Sequence, residues 1–377
     1  MSVMGNSTLA FSEEQSMLMD VAREFCQSKS PISEVRTQLE TDLGYDTALW
    51  DEMVNLGWAG IALPESCGGS GMGVATVVPV VEAMGKAMLG TPLISSTLAA
   101  QLLMRAGATT QFESVLSEIA TGRVGTVALL ENADWGDDNI NCTLDADGVL
   151  HGSKAFVADA STAHFFVVVA ERDGAPALAL VKAEQLTQAA LTPNLLIDQT
   201  KRSANVDFTG VQVAEGNWLA GEAVAGALRD VRLLGALLVA AEATGSASAC
   251  LNTVVDYLKT RKQFGKLIGS YQALKHPAVD ILNAVDSARS FVYHAATVTS
   301  DESLSRDAEI ACRMAKADAT ETLLYAGDRA VQFHGGMGFT YECDAQLYIR
   351  RAQWTRQQFG DAQHHRKRLA SLLLDSQ

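Results

Sequence analysis

From Val231 to Leu258 the chain reads as one long helix carrying the small residues Gly235, Ala240, Ala241, Gly245, Ala247 and Ala249. Small side chains let another helix approach closely, because the spacing between packed helices is set by the side chains at the contact. This segment therefore needs helical neighbours. Its most apolar run, Leu233 to Ala241, is too short to span a bilayer and is closed by Glu242. Helical periodicity then covers roughly 272–299, 304–334 and 342–358.

Helix-forming pattern also dominates the start of the chain. Ser12 opens an S-x-x-Q capping box, and Leu18, Val21, Ala22 and Phe25 follow at helical spacing. Asp46 to Leu56, Val77 to Met88 and Thr97 to Ala106 repeat the pattern, and a Gly-rich loop runs from Gly57 to Gly73. Near Thr121 the character changes. Residues 124–131 are β-branched and apolar, Phe165 to Ala170 is a continuous apolar run, and Val206 to Val213 alternates like a half-buried strand. Asp173-Gly174, between that apolar run and Ala177 to Val181, signals a hairpin. The expected division is a helical segment 1–121, a β segment 122–220 and a helical segment 221–377. A chain of 377 residues that is 48% apolar suits two or three packed domains.

A formal charge of −15 argues against nucleic-acid and anionic-membrane surfaces, which need clustered Lys and Arg. The basic run Arg366, Lys367, Arg368 is short and reads as the last turn of a helix, opposing its negative dipole end. Six dispersed cysteines, at 26, 67, 142, 250, 312 and 343, have no metal-ribbon spacing and read as reduced thiols. The first residues lack a basic n-region followed by an apolar stretch, so no signal peptide is expected and a cytoplasmic location is.

Three segments together resemble the acyl-CoA dehydrogenase family: GWAGIALPESCGGSG from Gly57, DYLKTRKQFGKLIGSYQALKH from Asp256 and QFHGGMGF from Gln332. Each alone is a weak match. Their order, with a β segment between the first two, makes the resemblance specific, and it extends over essentially the whole chain. It implies an α+β multidomain fold: an N-terminal helical domain, a middle β-barrel-like domain and a C-terminal four-helix bundle. It also implies FAD, an acyl-CoA substrate and an electron-transferring flavoprotein as electron acceptor.

The resemblance assigns FAD contacts to Arg261, Gln263, Phe264, Gln272, Gln332, Gly335 and Gly336. A pyrophosphate needs a fixed cation, and an arginine at a helix end can supply a charge-assisted bond. In the family these positions reach an FAD held mainly by a neighbouring subunit. Glycines at 335 and 336 would let backbone pass close to the adenosine half. His334 is expected to be structural.

Family members remove an α-proton with a glutamate placed at one of two positions. Those positions are Phe359 and Gly235 here, and neither is an acid. Glu242 and Asp361 are nearby candidates, with a buried hydrogen-bonded glutamate and a helix N-cap as the plainer readings. The flavin-binding hydroxyls of the family's β domain are also absent: Leu130-Glu131-Asn132, Ala133-Asp134-Trp135 and Phe156-Val157-Ala158 stand there. This combination resembles the base-lacking subunit of α2β2 acyl-CoA dehydrogenases for steroid side chains. The catalytic residue of this chain is left unassigned, and the expected partner is a homologous subunit bearing the glutamate. A catalytically complete homo-oligomer and a non-catalytic interaction protein are the alternatives.

Overall fold

The computed structural model describes residues 13–375. Six helices come first: α1 (Glu13–Lys29), α2 (Ile32–Leu39), α3 (Thr47–Asn55), α4 (Val77–Lys86), α5 (Leu93–Arg105) and α6 (Glu113–Ala120). Nine strands follow: β1 (Gly125–Ala128), β2 (Thr143–Leu144), β3 (Leu150–His151), β4 (Ser153–Ala158), β5 (Phe165–Arg172), β6 (Ala175–Lys182), β7 (Leu191–Pro193), β8 (Ser203–Asp207) and β9 (Trp218–Ala220). The remainder is α7 (Glu222–Thr260), the two-stranded hairpin β10 (Lys262–Gln263) and β11 (Lys266–Leu267), then α8 (Gln272–Val298), α9 (Arg306–His334), α10 (Ala345–Gln357) and α11 (Ala362–Leu374). No helix among the described residues is long and apolar enough to cross a membrane.

The long helix inferred from small residues is α7, and its glycines do what their size allows. A Cβ at Gly245 would lie 2.0 Å from the Glu82 carbonyl oxygen on α4, and one at Gly85 would lie 2.1 Å from the Glu242 carbonyl oxygen on α7. The two backbones touch. Ser246 Oγ donates to the Gly85 carbonyl at 2.8 Å and ties the crossing. Helices α8, α9 and α10 pack around α7, and α11 lies on α9, so the expected four-helix bundle carries a fifth helix.

The expected barrel does not close. The strands form a six-stranded sheet, β3-β2-β5-β6-β9 with β1 beside β5, and a separate three-stranded sheet, β4-β8-β7. The physical reason lies in β5, whose apolar run has no polar face. Phe165, Val167 and Val169 join the helical core, while Phe166, Val168 and Ala170 join a second core inside the β segment. Both faces are covered, one by helices and one by the smaller sheet, as a continuous apolar run requires.

Asp173 and Gly174 turn the β5–β6 hairpin, both with φ above +50°. The alternating stretch after Val206 is strand only to Asp207; the chain then turns, with Val211 N–H donating to the Phe208 carbonyl at 3.0 Å. The basic run at 366–368 sits in mid-helix, where Arg366 pairs with Glu321 and Arg368 with Asp138, rather than in a last turn. The Ser12 capping box lies outside the described residues. All six cysteines are buried and unpaired, and burial alone raises the Cys26 thiol to about 12.

Candidate functional site

Two regions carry the positions to which the resemblance assigns a function, and they are built in opposite ways. The first is an edge formed where α7 and α9 end. Arg261 caps α7 and begins a hairpin in which Lys262 pairs with Leu267 and Gln263 with Lys266. Its two-residue turn is Phe264-Gly265, with φ of +53° and +75°. Two successive positive φ values are what a tight hairpin of matching twist demands, and only Gly accepts them freely. An aromatic residue held there costs roughly 1 kcal/mol.

At the end of α9, Gly335 takes φ +60° and closes the helix as its C-cap by donating to the Gln332 carbonyl. A Cβ at Gly335 or Gly336 would meet nothing within 4 Å, which leaves open space over the backbone. The Tyr257 ring, one turn before Arg261, stacks on His334 with centroids 4.1 Å apart and joins the two helix ends. His334 Nδ1 lies 2.7 Å from the Ala330 carbonyl, a structural role as expected. Arg261, Gln263, Phe264, Gln272, Gln332, Gly335 and Gly336 are all exposed along this edge. Phe264 is 89% exposed and Phe339 80%. Among the described aromatic residues these two are the most exposed.

The second region lies inside, where α7 passes the turn between α10 and α11. The two positions at which the resemblance places the base meet each other. A Cβ at Gly235 would lie 2.4 Å from the Phe359 ring, so the ring sits directly on α7 backbone. Trp135 covers the ring from the β side, with centroids 4.6 Å apart and planes tilted by 54°. Phe359 holds φ +56°, a strained value for an aromatic residue, and its turn is fixed from below. Lys316, wholly buried on α9, donates from Nζ to the Gly360 carbonyl at 2.8 Å and the Arg356 carbonyl at 3.3 Å. It thereby satisfies carbonyls that the end of α10 leaves without helical partners. Burial pulls the Lys316 ammonium down to about 7, against the opposing pull of Asp361.

Neither substitute acid is free. Glu242 is completely buried, and its Oε1 accepts from Lys201 Nζ at 2.5 Å and Arg351 Nη1 at 3.0 Å. Arg351, itself wholly buried, also pairs with Asp198 and donates to Thr200. These groups form one network tying α7, α10 and the segment before β8. Asp361 caps α11 by accepting the His364 N–H at 2.8 Å. Both plainer readings of these acids hold.

The strand that would face a flavin is distorted. β4 is bulged between Lys154 and Val157, with Phe156 at φ +50° and its N–H donated to the Asn205 side chain at 3.1 Å. Glu131 is spent on structure: its carboxylate takes buried Lys154 at 2.6 Å and the Cys142 N–H at 2.9 Å. Burial raises the Glu131 pKa, but these bonds outweigh it and hold the group below the usual range. Beyond Ala158, burial pushes Asp159 up to about 6 despite the hydrogen bond from Ser95.

Lys316, Lys201, Arg351 and Asp198 were not singled out by sequence reasoning. The available signal was modest: Lys316 stands alone in an Ala-rich helical stretch, and Arg351 is one of an Arg pair facing inward. Among the described residues no His/Cys/Asp/Glu cluster could hold a metal ion.

Comparison with known proteins agrees with this architecture. The acyl-CoA dehydrogenase N-terminal domain matches residues 12–123, and the acyl-CoA dehydrogenase C-terminal domain matches 232–374. The acyl-CoA dehydrogenase IpdE2 of Mycolicibacterium smegmatis is 32% identical over 95% of this chain and 98% of its own length. A variant of the steroid ACAD Tcur3481-Tcur3483 superposes with a TM-score of 0.83 at 26% identity, covering 96% of this chain and 98% of that one. The ChsE4-ChsE5 complex of Mycobacterium tuberculosis has a chain of the same fold, with a TM-score of 0.86 at 24% identity, covering 98% of this chain and 99% of that one. Matched over both end domains and nearly its whole length, this chain belongs to the acyl-CoA dehydrogenase family of FAD-dependent oxidoreductases acting on the CH–CH bond of acyl-CoA thioesters.

Proposed function

We propose that this chain is the subunit of a heteromeric acyl-CoA dehydrogenase that does not carry the base, and that it completes FAD sites whose glutamate belongs to a homologous partner. The observation carrying this reading is the direct packing of Phe359 on Gly235: both positions that hold the family's carboxylate are filled, by a ring and by a bare backbone. The relatives support it, since the steroid ACAD Tcur3481-Tcur3483, similar to this chain over nearly its whole length, is named as two components.

The residues fit one half of FAD and not the other. Arg261 would hold the pyrophosphate, with Gln263, Phe264 and Gln272 beside it, and Gln332 with the open backbone of Gly335 and Gly336 would take the adenosine half. The bulged β4 offers an isoalloxazine ring no side-chain hydroxyl from Phe156 to Ala158. When bound, FAD supplies the acceptor for the hydride that leaves the β-carbon. This chain's contribution is a cation for the cofactor's phosphates and a rigid edge that orients it. The α-proton would go to the partner's carboxylate, giving the 2,3-enoyl-CoA, and an electron-transferring flavoprotein would reoxidise the assembly. A bulky, steroid-derived acyl group and a cytoplasmic location complete the reading.

Expression alone and together with a homologous subunit carrying the glutamate tests it. The expected outcome is colourless, inactive protein alone and a yellow, active complex together. A yellow, active homotetramer would overturn it.

A further inference from the structure

We propose that Trp135 and Phe359 form a fixed aromatic wall that divides this subunit's own substrate path, so that no acyl chain reaches its interior and acyl binding in the assembly is confined to the partner's sites. The inference rests on the heteromeric reading above and specifies what became of the redundant site.

Three cavities meet at this pair, and each is lined by both rings. The outer one, about 370 Å³, lies between the N-terminal ends of α7, α9 and α11, with Arg229, Arg232, Arg313 and Arg368 around it. Behind the wall is a space of about 40 Å³ between α5 and the β segment, lined by Leu98, Thr126 and Phe156. Beside that is one of about 70 Å³ reaching Tyr45, Lys201 and Trp354. Neither inner space holds more than a few water-sized groups. The cavity at the helix ends is charged and roomy, the other two are small, and the two rings are the lining that all three share.

The geometry makes this a wall rather than a gate. Phe359 cannot retreat toward α7, because its ring already occupies the place of a Gly235 side chain. Its backbone is pinned by the Lys316 bonds to Arg356 and Gly360 and by the Asp361 cap. Trp135 sits in a turn closed by Asp134 N–H to Asn132 Oδ1 at 2.7 Å, Gly136 N–H to Asp134 Oδ1 at 2.8 Å and Asn132 Nδ2 to Asp137 at 2.7 Å. The backbone that carries each ring is held by polar contacts that an entering apolar chain does not replace, and the rings themselves pack on each other.

Acyl-length dependence tests the wall. The assembled complex is titrated calorimetrically with CoA, butyryl-CoA and octanoyl-CoA, and sites are counted against FAD. A buried methylene tightens binding about fourfold. For the intact complex the expected result is one length-dependent site per FAD, with any further binding flat across the series. In a complex carrying Trp135→Ala and Phe359→Ala, one additional length-dependent site per copy of this chain is expected. Length-dependent sites on every chain of the intact complex, or no new sites in the opened variant, would overturn the proposal. Should the double variant fail to assemble, the series on the intact complex decides by itself. FAD content and turnover report separately on the heteromeric reading: an active homotetramer sinks that reading, whereas a length-dependent site on a chain without FAD sinks only the wall.

Discussion

The edge at Arg261 and the interior at Gly235 belong to the same helix, α7, yet differ in every physical respect. The edge is open, with strained turns and unburied aromatic rings that no described residue covers. In the interior Glu242 is tied to buried cations and Asp361 to a helix end, and the bare backbone at Gly235 is covered by a ring. On the heteromeric reading proposed above, the contrast teaches how a subunit keeps part of a site. Residues that serve a neighbour cannot be traded for better packing without losing the assembly, whereas residues that served only the chain's own chemistry are free to be replaced by whatever packs.

The comparison breaks most readily in the interior. Arg351→Met should destabilise the chain by about 3–5 kcal/mol, because Glu242 and Asp198 would remain buried without their shared cation. Chemical denaturation measures this, and an unchanged midpoint would show that the network is not structural. Arg261→Ala should act oppositely: the exposed side chain leaves folding intact, but loss of a charge-assisted bond should cost about 1.5–3 kcal/mol in FAD retention by the assembled complex. Absorbance of bound flavin after gel filtration, set beside circular dichroism, separates the two effects. Gly235→Ala should cost about 1–3 kcal/mol through overpacking against Phe359. A neutral result would mean that the ring moves aside easily, and would weaken the wall.

A pH dependence sharpens the same contrast at smaller amplitude. Burial, then Lys316 and Arg313, depress His365 to about 2, and burial depresses Lys316 to about 7. Each group takes up a proton more readily unfolded than folded. Stability is therefore present above the ordinary pKa values and lost on acidification, from pH 10.5 toward 7 for Lys316 and from 6.5 toward 2 for His365. Thermal midpoints should fall between pH 8 and 5, and His365→Phe should flatten the acid part of that slope. Substitutions at the edge should leave the profile unchanged.

The sequence made the helix–β–helix order readable because period and composition change sharply at its joints. The small residues of α7 foretold the close crossing with α4, and Asp173-Gly174 foretold its hairpin, since both signals are local. The barrel expectation failed because closure depends on which strand pairs with which. Nothing in Ser153 to Ala158 says that β4 leaves the larger sheet for β8. At the site, the absence of an acid at Gly235 and Phe359 could be read by position, but their mutual contact could not, being 124 residues apart in the chain. The Lys201–Glu242–Arg351 network was likewise hidden, because its members come from three separated segments and each looks ordinary in its own.

The bare rings of Phe264 and Phe339 have a consequence for the cell that makes this protein. An unassembled copy displays greasy, strand-edged surface of the kind that quality-control machinery captures, so surplus would be removed rather than stored. If the proposed heteromer holds, production in step with the partner becomes part of the design, and an imbalance in supply should show first as turnover of the orphan copies.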